Sequence, residues 1–272
     1  MLLTIDIGNS STVLGAFGDD DAPVAAWRLP TERRSRPETV GRSLSRVWQE
    51  NGLGAAEFEG AALCSVVAPL TELWRGTLQD ILGREPLVLH QRMELGMVLD
   101  VRNPDHVGMD RLADAAAVRE RTTGAAVAVD FGTATTFNVV DEEGRFRGGA
   151  IAPGLAIAAE SLKVAAPGLA ELAEVFGEFT PASKAVEFSP PSSAVGRDTD
   201  EALRSGIVLG YAGLVDGLLT RIRNELDSPV TVVSTGGLGH VITPMTDSID
   251  HYDPWLTLAG IRAIYGLNVV SN

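Results

Sequence analysis

Two short runs of β-prone residues open the chain, and a tight polar turn separates them. The runs cover residues 2–7 and 11–17, with Gly8, Asn9 and Ser10 between them. Glycine beside small polar residues is typical of a hairpin turn. Residues 128–140 show a similar pattern around Gly132. The pattern therefore predicts one β-hairpin in each half of the chain.

The two predicted hairpins are related by a constant offset of 124 positions (130 − 6). The matches are Asp6 on Asp130, Gly8 on Gly132, Ser11 on Thr135 and Thr12 on Thr136. A period of this length is too long for a solenoid. The alternative is chance similarity between two Asp-Gly turns, which are common. We favour two similar halves, covering residues 1–118 and 119–272.

Helical and strand-like segments alternate after each hairpin. Helical periodicity is clearest from Pro37 to Asn51, where apolar residues recur on one face; further helices are predicted at 70–82, from 109, at 198–226 and at 255–265. Strands are predicted at 61–67, 87–90, 148–154 and 230–234. This alternation predicts an α/β fold with largely parallel central pairing. Residues 163–197, rich in Pro, Ala and Ser, are predicted to form a loop or cap.

Composition narrows the classes of partner. The 272 residues include 36 acidic and 22 basic side chains, a net charge of −14. Such a surface disfavours nucleic acid or an anionic membrane as partner, so an anionic ligand must be held by a few placed groups. Cys64, the only cysteine, is expected to be a buried hydrophobe rather than a nucleophile. No basic leader and no apolar run of about 18–20 residues is evident, which predicts a cytoplasmic protein.

The two Asp-x-Gly turns are the first candidate for chemistry. A carboxylate at a strand end can hold a cation while the following glycine lets the backbone approach a polyphosphate. The polar residues Asn9, Ser10 and Ser11, with Thr133 and Thr135, could donate hydrogen bonds to phosphate oxygens. The alternative for each turn alone is an ordinary hairpin.

A late glycine cluster, residues 235–239, follows a predicted strand and could lie against a flat adenine ring. The alternative is an ordinary strand-to-helix turn. The chain lacks the P-loop pattern, which excludes a P-loop enzyme. It also lacks the glycine fingerprint of a dinucleotide-binding fold, which disfavours that fold.

The third candidate is the segment Gly108-Met109-Asp110-Arg111, at a predicted helix start. Asp110 could accept a proton from a substrate hydroxyl, and Arg111 could pair with a substrate carboxylate. The alternative is a helix-capping carboxylate with an exposed neighbour. His106 is a competing base, although an exposed loop histidine is its more ordinary interpretation.

Taken in order, these motifs resemble those of the type III pantothenate kinase family, essentially over the whole chain. The matching segments are Asp6–Ser10, Gly108–Arg111, Asp130–Thr135, Ile151–Gly154 and Thr235–Leu238, with Thr199 upstream of Ser205. The resemblance implies duplicated ribonuclease H-like, actin-like ATPase domains, each with a central mixed sheet flanked by helices. It also implies a homodimer that phosphorylates pantothenate with ATP, the first committed step of coenzyme A synthesis.

The resemblance also implies roles for individual residues. Asp110 would be the catalytic base, and pantothenate would contact Gly108, Met109, Asp110, Arg111, Thr199 and the position of Val101. ATP would bind between the halves, at Asp6, Ile7, Gly8, Asn9, Ser10, Ser11, Thr12, Val13, Gly132, Thr133, Gly236 and Gly237. Asp130 would help to bind a monovalent cation (K⁺ or NH₄⁺), and Asp6 would bind the Mg²⁺ that accompanies ATP.

Two departures from the family pattern keep other functions open. Met109 stands where the family usually has alanine, and Val101 stands where many members have an aromatic residue. One alternative is a kinase of the same superfamily with another small hydroxylated or carboxylated substrate. The other is a catalytically quiet homologue with a regulatory role. The retained Asp-Arg pair favours pantothenate kinase over both.

Overall fold

A computed structural model describes residues 1–166, 168, 188 and 190–269. The chain divides into two compact units. The first contains Met1–Arg121 together with the C-terminal segment from Trp255, and the second contains Thr122–Pro254. Each unit is built around one five-stranded sheet.

The first unit forms its sheet in the order β3-β2-β1-β4-β5. Strand β1 pairs antiparallel with β2 and parallel with β4. Its strands are β1 (Leu2–Ile7), β2 (Ser11–Phe17), β3 (Ala25–Pro30), β4 (Gly60–Ser65) and β5 (Leu87–Val88). Its helices are α1 (Pro37–Gln49), α2 (Ala68–Leu82), α3 (Met109–Arg121) and the C-terminal α7 (Leu256–Val269).

Helix α1 shows how the apolar pattern becomes packing. Val40, Leu44, Val47 and Trp48 are all buried, as their helical spacing predicts. They contact the first unit's core, where the Trp48 and Phe58 rings lie 5.0 Å apart between centroids. Pro37 occupies the first turn, where its missing N–H costs nothing.

The C-terminal helix differs from its predicted place. Residues 255–265 were expected in the second half, but α7 packs on α3 in the first unit. The contact is close because Gly260 faces Ala113, and a Cβ at position 260 would lie 2.5 Å from the Ala113 carbonyl carbon. The first unit also extends to Arg121 rather than to 118, since α3 continues that far.

The second unit repeats the topology of the first, with the strand order β8-β7-β6-β9-β10. Strand β6 pairs antiparallel with β7 and parallel with β9. Its strands are β6 (Ala125–Phe131), β7 (Ala134–Val140), β8 (Phe146–Pro153), β9 (Val230–Thr235) and β10 (His251–Tyr252). Its helices are α4 (Leu155–Ala165), α5 (Thr199–Leu226) and the short α6 (Gly239–Ile242).

The hairpin registers correct one part of the predicted repeat. Ile7 pairs with Thr12 in the first hairpin, whereas Phe131 pairs with Thr135 in the second. The second turn is therefore one residue shorter, and the offset falls from 124 before the turn to 123 after it. Thr12 corresponds to Thr135, so the predicted matches of Ser11 with Thr135 and of Thr12 with Thr136 are wrong.

Helix α5 corrects the expectation that no segment has the length and apolarity of a membrane span. Its 28 residues meet that criterion by length and composition. However, Val208, Tyr211, Val215 and Leu219 contribute to the core of the second unit. Packing against the sheet therefore accounts for the apolar face of α5. The helix contains one π turn at Ser205–Leu209.

The predicted cap at residues 163–197 lies mostly outside the described residues. Its first residues, 163–165, belong to the end of α4 rather than to a loop. The closing residues 190–197 contain no helix or strand and lead directly into α5.

Candidate functional site

The β1–β2 hairpin places one exposed amide at its tip. Ile7, Thr12 and Val13 have buried side chains, so only their backbone is available to a ligand. Asn9 is exposed, while Gly8, Ser10 and Ser11 are half-buried. The turn is closed by the Gly8 N–H, which donates to the Ser11 carbonyl at 3.1 Å.

Asp6 lies at the end of β1, directly opposite Cys64 on β4. The Cys64 thiol donates to Asp6 Oδ1 at 3.4 Å. Cys64 is fully buried, and this burial together with the charges of Asp6, Asp110 and Asp114 raises the pKa of the thiol well above its ordinary value. The thiol therefore stays protonated at neutral pH, which agrees with its predicted inert role.

Asp6 and Asp110 therefore both act on the charge environment of Cys64. Gly108 precedes α3, and its missing side chain makes room for the Asp110 carboxylate, which a Cβ at position 108 would overlap. Met109 is buried in the first turn of α3, so its extra bulk relative to alanine lies largely within the unit.

Asp110 and Arg111 are coupled by geometry and charge. The Arg111 backbone N–H donates to Asp110 Oδ1 at 2.8 Å. Burial raises the pKa of Asp110, and the Arg111 N–H and charge only partly offset this rise. Burial likewise lowers the pKa of the Arg111 guanidinium, against the opposing charges of Asp110 and Asp114. A partly desolvated carboxylate next to a guanidinium is suited to a substrate that carries both a hydroxyl and a carboxylate.

The remaining candidates of the first unit lie in the segment before α3. Val101 is half-buried and precedes a short 3₁₀ turn at Pro104–His106. His106 in that turn is exposed, as its ordinary interpretation predicts. The neighbouring Asp105 forms an exposed ion pair with Arg92 at 3.2 Å.

In the second unit, Asp130 and the glycine cluster come together. Asp130, the penultimate residue of β6, lies between its partners Thr136 on β7 and Thr235 on β9. Gly236 follows β9 with a φ of +88°, and a Cβ there would overlap Asp130 Oδ1 and lie 2.6 Å from the Phe131 backbone. A Cβ at Gly132 would lie 3.4 Å from Asp130 Oδ2. The carboxylate is therefore enclosed by two glycines from separate segments.

The other candidates of the second unit occupy three positions. Thr133 is exposed at the hairpin tip, and its carbonyl accepts from the Gly154 N–H at 3.1 Å. Gly237 is exposed in the turn before α6. Thr199 begins α5, which Asp198 caps by accepting the Glu201 N–H at 2.8 Å.

Comparison with known proteins identifies the family. The family model for type III pantothenate kinase matches residues 2–221. A type III pantothenate kinase from Desulfatibacillum aliphaticivorans is 36% identical over 97% of this chain and 98% of its own length. One from Thermomicrobium roseum is 40% identical over 97% of this chain and 96% of its own length. The chain belongs to the type III pantothenate kinase family.

A solved structure supports the fold independently of sequence. A ROK family glucokinase from Streptomyces griseus, determined with glucose and AMPPNP, aligns with a TM-score of 0.54. The alignment covers 95% of this chain and 97% of that chain at 11% identity, so the likeness concerns the fold alone. It confirms the predicted α/β class of duplicated, actin-like ATPase domains.

The residues present are compatible with the divalent cation that accompanies ATP in a kinase. Within the described part of the chain, no three His, Cys, Asp or Glu side chains are grouped as a complete metal site. Mg²⁺ usually binds through one or two carboxylates together with phosphate oxygens, which a single half-buried Asp6 suits. Asp130, enclosed by glycines, offers carboxylate oxygens beside accessible backbone.

Some residues that contact these candidates have no signal in the sequence. Asp114, one turn after Asp110, is buried and accepts from Thr257 Oγ1 of α7 at 2.7 Å. Thr31 and Arg33 bond to the first hairpin tip, as described below. The spacing of Asp114 from Asp110 is helical, but its burial depends on α7, about 140 residues later.

Proposed function

We propose that this protein transfers the γ-phosphoryl group of ATP to the primary hydroxyl of pantothenate, the first step of coenzyme A synthesis. Membership of the type III pantothenate kinase family supports this function. The observation that carries it is the Asp110–Arg111 pair at the start of α3, with a partly desolvated carboxylate beside a guanidinium.

Asp110 is the proposed base. The pantothenate hydroxyl oxygen forms a bond to the γ-phosphorus, the bond from that phosphorus to the ADP oxygen breaks, and Asp110 accepts the hydroxyl proton. A phosphoryl transition state of metaphosphate character needs little basicity from the enzyme. Asp110 therefore contributes in two ways, by orienting the hydroxyl in line with the leaving oxygen and by accepting its proton.

Arg111 is the proposed partner of the pantothenate carboxylate, since a guanidinium matches a carboxylate with two parallel hydrogen bonds. Gly108 and Met109 shape the same segment, and Val101 and Thr199 complete the proposed set of pantothenate contacts. Asp110 and Arg111 are adjacent in the chain. The start of α3 would therefore both position the pantothenate hydroxyl and bind the pantothenate carboxylate.

The hairpins are the proposed phosphate-binding elements. Residues 6–13 of the first unit offer backbone N–H groups and the Asn9 amide, and Gly132 and Thr133 offer the same kind of donor in the second. Gly236 and Gly237 would face the adenosine. Neutral donors of this kind suit a protein of net charge −14, which must hold an anion by local contacts.

Two cations belong to the proposal. Mg²⁺, held by Asp6 and the phosphates, would neutralise charge on the phosphoryl group, and Asp130 would hold the monovalent cation, K⁺ or NH₄⁺. We also propose that the protein acts as a cytoplasmic homodimer without nucleic-acid or membrane partners.

The role of Arg111 tests the choice of substrate. ADP release is measured with ATP, Mg²⁺ and K⁺, using either pantothenate or pantothenol, which has an alcohol in place of the carboxylate. The wild-type protein should use pantothenate at a much lower KM than pantothenol. Arg111→Ala should raise the pantothenate KM about 10- to 100-fold, the effect of losing a charged hydrogen-bond partner, and leave the pantothenol KM nearly unchanged.

Two results would oppose this proposal. ADP release that does not depend on pantothenate would remove pantothenate as the substrate. An unchanged pantothenate KM in Arg111→Ala would show that the carboxylate binds elsewhere.

A further inference from the structure

The segment after β3, Thr31 to Arg33, folds over the tip of the first hairpin. We name it the strap. The Thr31 N–H donates to the Ser10 carbonyl at 3.0 Å, and Thr31 Oγ1 donates to the Gly8 carbonyl at 2.8 Å. Thr31 Oγ1 also lies 2.9 Å from Thr12 Oγ1. Thr31 therefore fixes the backbone of the turn at Gly8 and Ser10 and also contacts Thr12 of β2.

Arg33 bonds to the exposed amide at the same tip. Its Nη2 donates to Asn9 Oδ1 at 2.8 Å. A guanidinium has only donors, so it selects the amide oxygen rather than the amide nitrogen. Both N–H groups of Asn9 Nδ2 then remain directed away from Arg33. The contact therefore presents Asn9 as a donor, the role that a phosphate oxygen requires.

Charge gives Arg33 a second role. The hairpin itself, residues 2–17, contains no lysine or arginine and carries the negative charge of Asp6. The polyphosphate tail of ATP is strongly anionic, and neutral donors bind it less strongly than charged ones. Arg33 is exposed, so its guanidinium can reach an anion bound beside Asn9 without any change in the core. Arg28, whose Nη1 donates to Ser11 Oγ at 2.8 Å, and Arg33 place positive charge beside a hairpin that has none of its own.

Building on the proposed function, we infer that Arg33 is a further nucleotide-binding residue, which orients the Asn9 amide and contacts the polyphosphate tail of ATP. The inferred contact is to the phosphates rather than to the adenosine, because Arg33 bonds to the tip of the proposed phosphate-binding hairpin.

The test compares Arg33→Ala with Arg34→Ala. Arg34 is the adjacent exposed arginine, and its removal changes the net charge equally. Binding of ATP and of adenosine, each with Mg²⁺, is followed by ligand-detected NMR titration of the purified full chain. Arg33→Ala should weaken ATP binding about tenfold, as expected for loss of a charged contact, and leave adenosine binding within about twofold. Arg34→Ala should change neither, and Arg33→Lys should restore part of the ATP affinity.

Three results would overturn the inference. The first is an Arg33→Ala variant that binds ATP as tightly as the wild type. The second is an equal loss of ATP and adenosine binding in Arg33→Ala. The third is an equal loss of ATP binding in Arg34→Ala, which would indicate a general charge effect. Unfolding curves of both variants should coincide with the wild type, because an exposed hydrogen bond contributes little to stability. The experiment measures nucleotide binding without pantothenate. Its result therefore does not depend on whether pantothenate is the phosphoryl acceptor.

Discussion

Asp110 differs from a surface aspartate in its surroundings. It follows a glycine that leaves space for its carboxylate, and it accepts the backbone N–H of Arg111 at 2.8 Å. Burial is the larger influence and raises its pKa above the ordinary aspartate value near 3.8. Its protonated form therefore persists to a higher pH than that of an exposed carboxyl.

This shift predicts the pH dependence of the reaction. Only the ionised form of Asp110 can accept the hydroxyl proton, so kcat/KM for pantothenate should fall as the pH drops through the pKa. Since that pKa is raised, the acid limb should lie above the range of an ordinary aspartate, about pH 4. The profile is measured from pH 8 down to below pH 4, with unfolding curves as the control. A rate that stays flat through pH 4 would conflict with Asp110 as the base.

Sequence reasoning finds some residues at this scale and misses others for a physical reason. Asp6 and Asp110 are recognisable because glycine and arginine stand beside them in the chain. Arg33 and Asp114 have their partners in distant segments, Asn9 at the tip of the first hairpin and Thr257 on α7. Neither contact leaves a local pattern, so only the fold reveals them.

The two hairpins are similar elements with different turns. Three residues, Gly8 to Ser10, separate the strands of the first, and two, Gly132 and Thr133, separate those of the second. Both put a threonine at the buried start of the return strand: Thr12 bonds to Thr31, and Thr135 bonds to Tyr211. The duplicated element is thus anchored by different partners in each unit.

Gly236 provides a prediction at this scale. Its positive φ is unfavourable for alanine, and the new Cβ would overlap Asp130 Oδ1. Gly236→Ala should therefore destabilise the protein by about 1–3 kcal/mol in urea unfolding and raise the K⁺ concentration for half-maximal activity. Gly213→Ala in α5, where an added Cβ meets no atom within 4 Å, is the matched control and should be neutral or stabilising by up to about 1 kcal/mol. Equal stability of Gly236→Ala and the wild type would refute the close approach to Asp130.

Elements with strong periodicity are predicted well, and those that depend on tertiary contacts are not. The apolar face of α1 and the start of α3 agree with the sequence pattern. Strand β3 and helix α4 have no counterpart in the sequence prediction. The strand contains no fully buried residue, and much of α4 lies at the surface, so neither produces a clear alternation. Helix α7 is correctly predicted as a helix but assigned to the wrong unit, because its partner α3 is remote in sequence.

At the scale of the whole molecule, the duplication is visible in topology more clearly than in sequence. In both sheets the first strand is central, antiparallel to the second and parallel to the fourth. The sequence repeat is confined to the hairpins, because elsewhere only the alternation of buried and exposed positions must be retained. Each unit carries an aspartate, Asp6 or Asp130, as the penultimate residue of its first strand.

The most direct measurement of the central claim is the turnover of Asp110→Asn with ATP, Mg²⁺, K⁺ and pantothenate. The variant keeps the shape of the side chain but cannot accept a proton, so kcat should fall about 100- to 10,000-fold while ATP binding stays unchanged. Asp105→Asn, an exposed aspartate five residues earlier, is the matched control and should retain wild-type turnover. Near-wild-type kcat in Asp110→Asn would contradict the account.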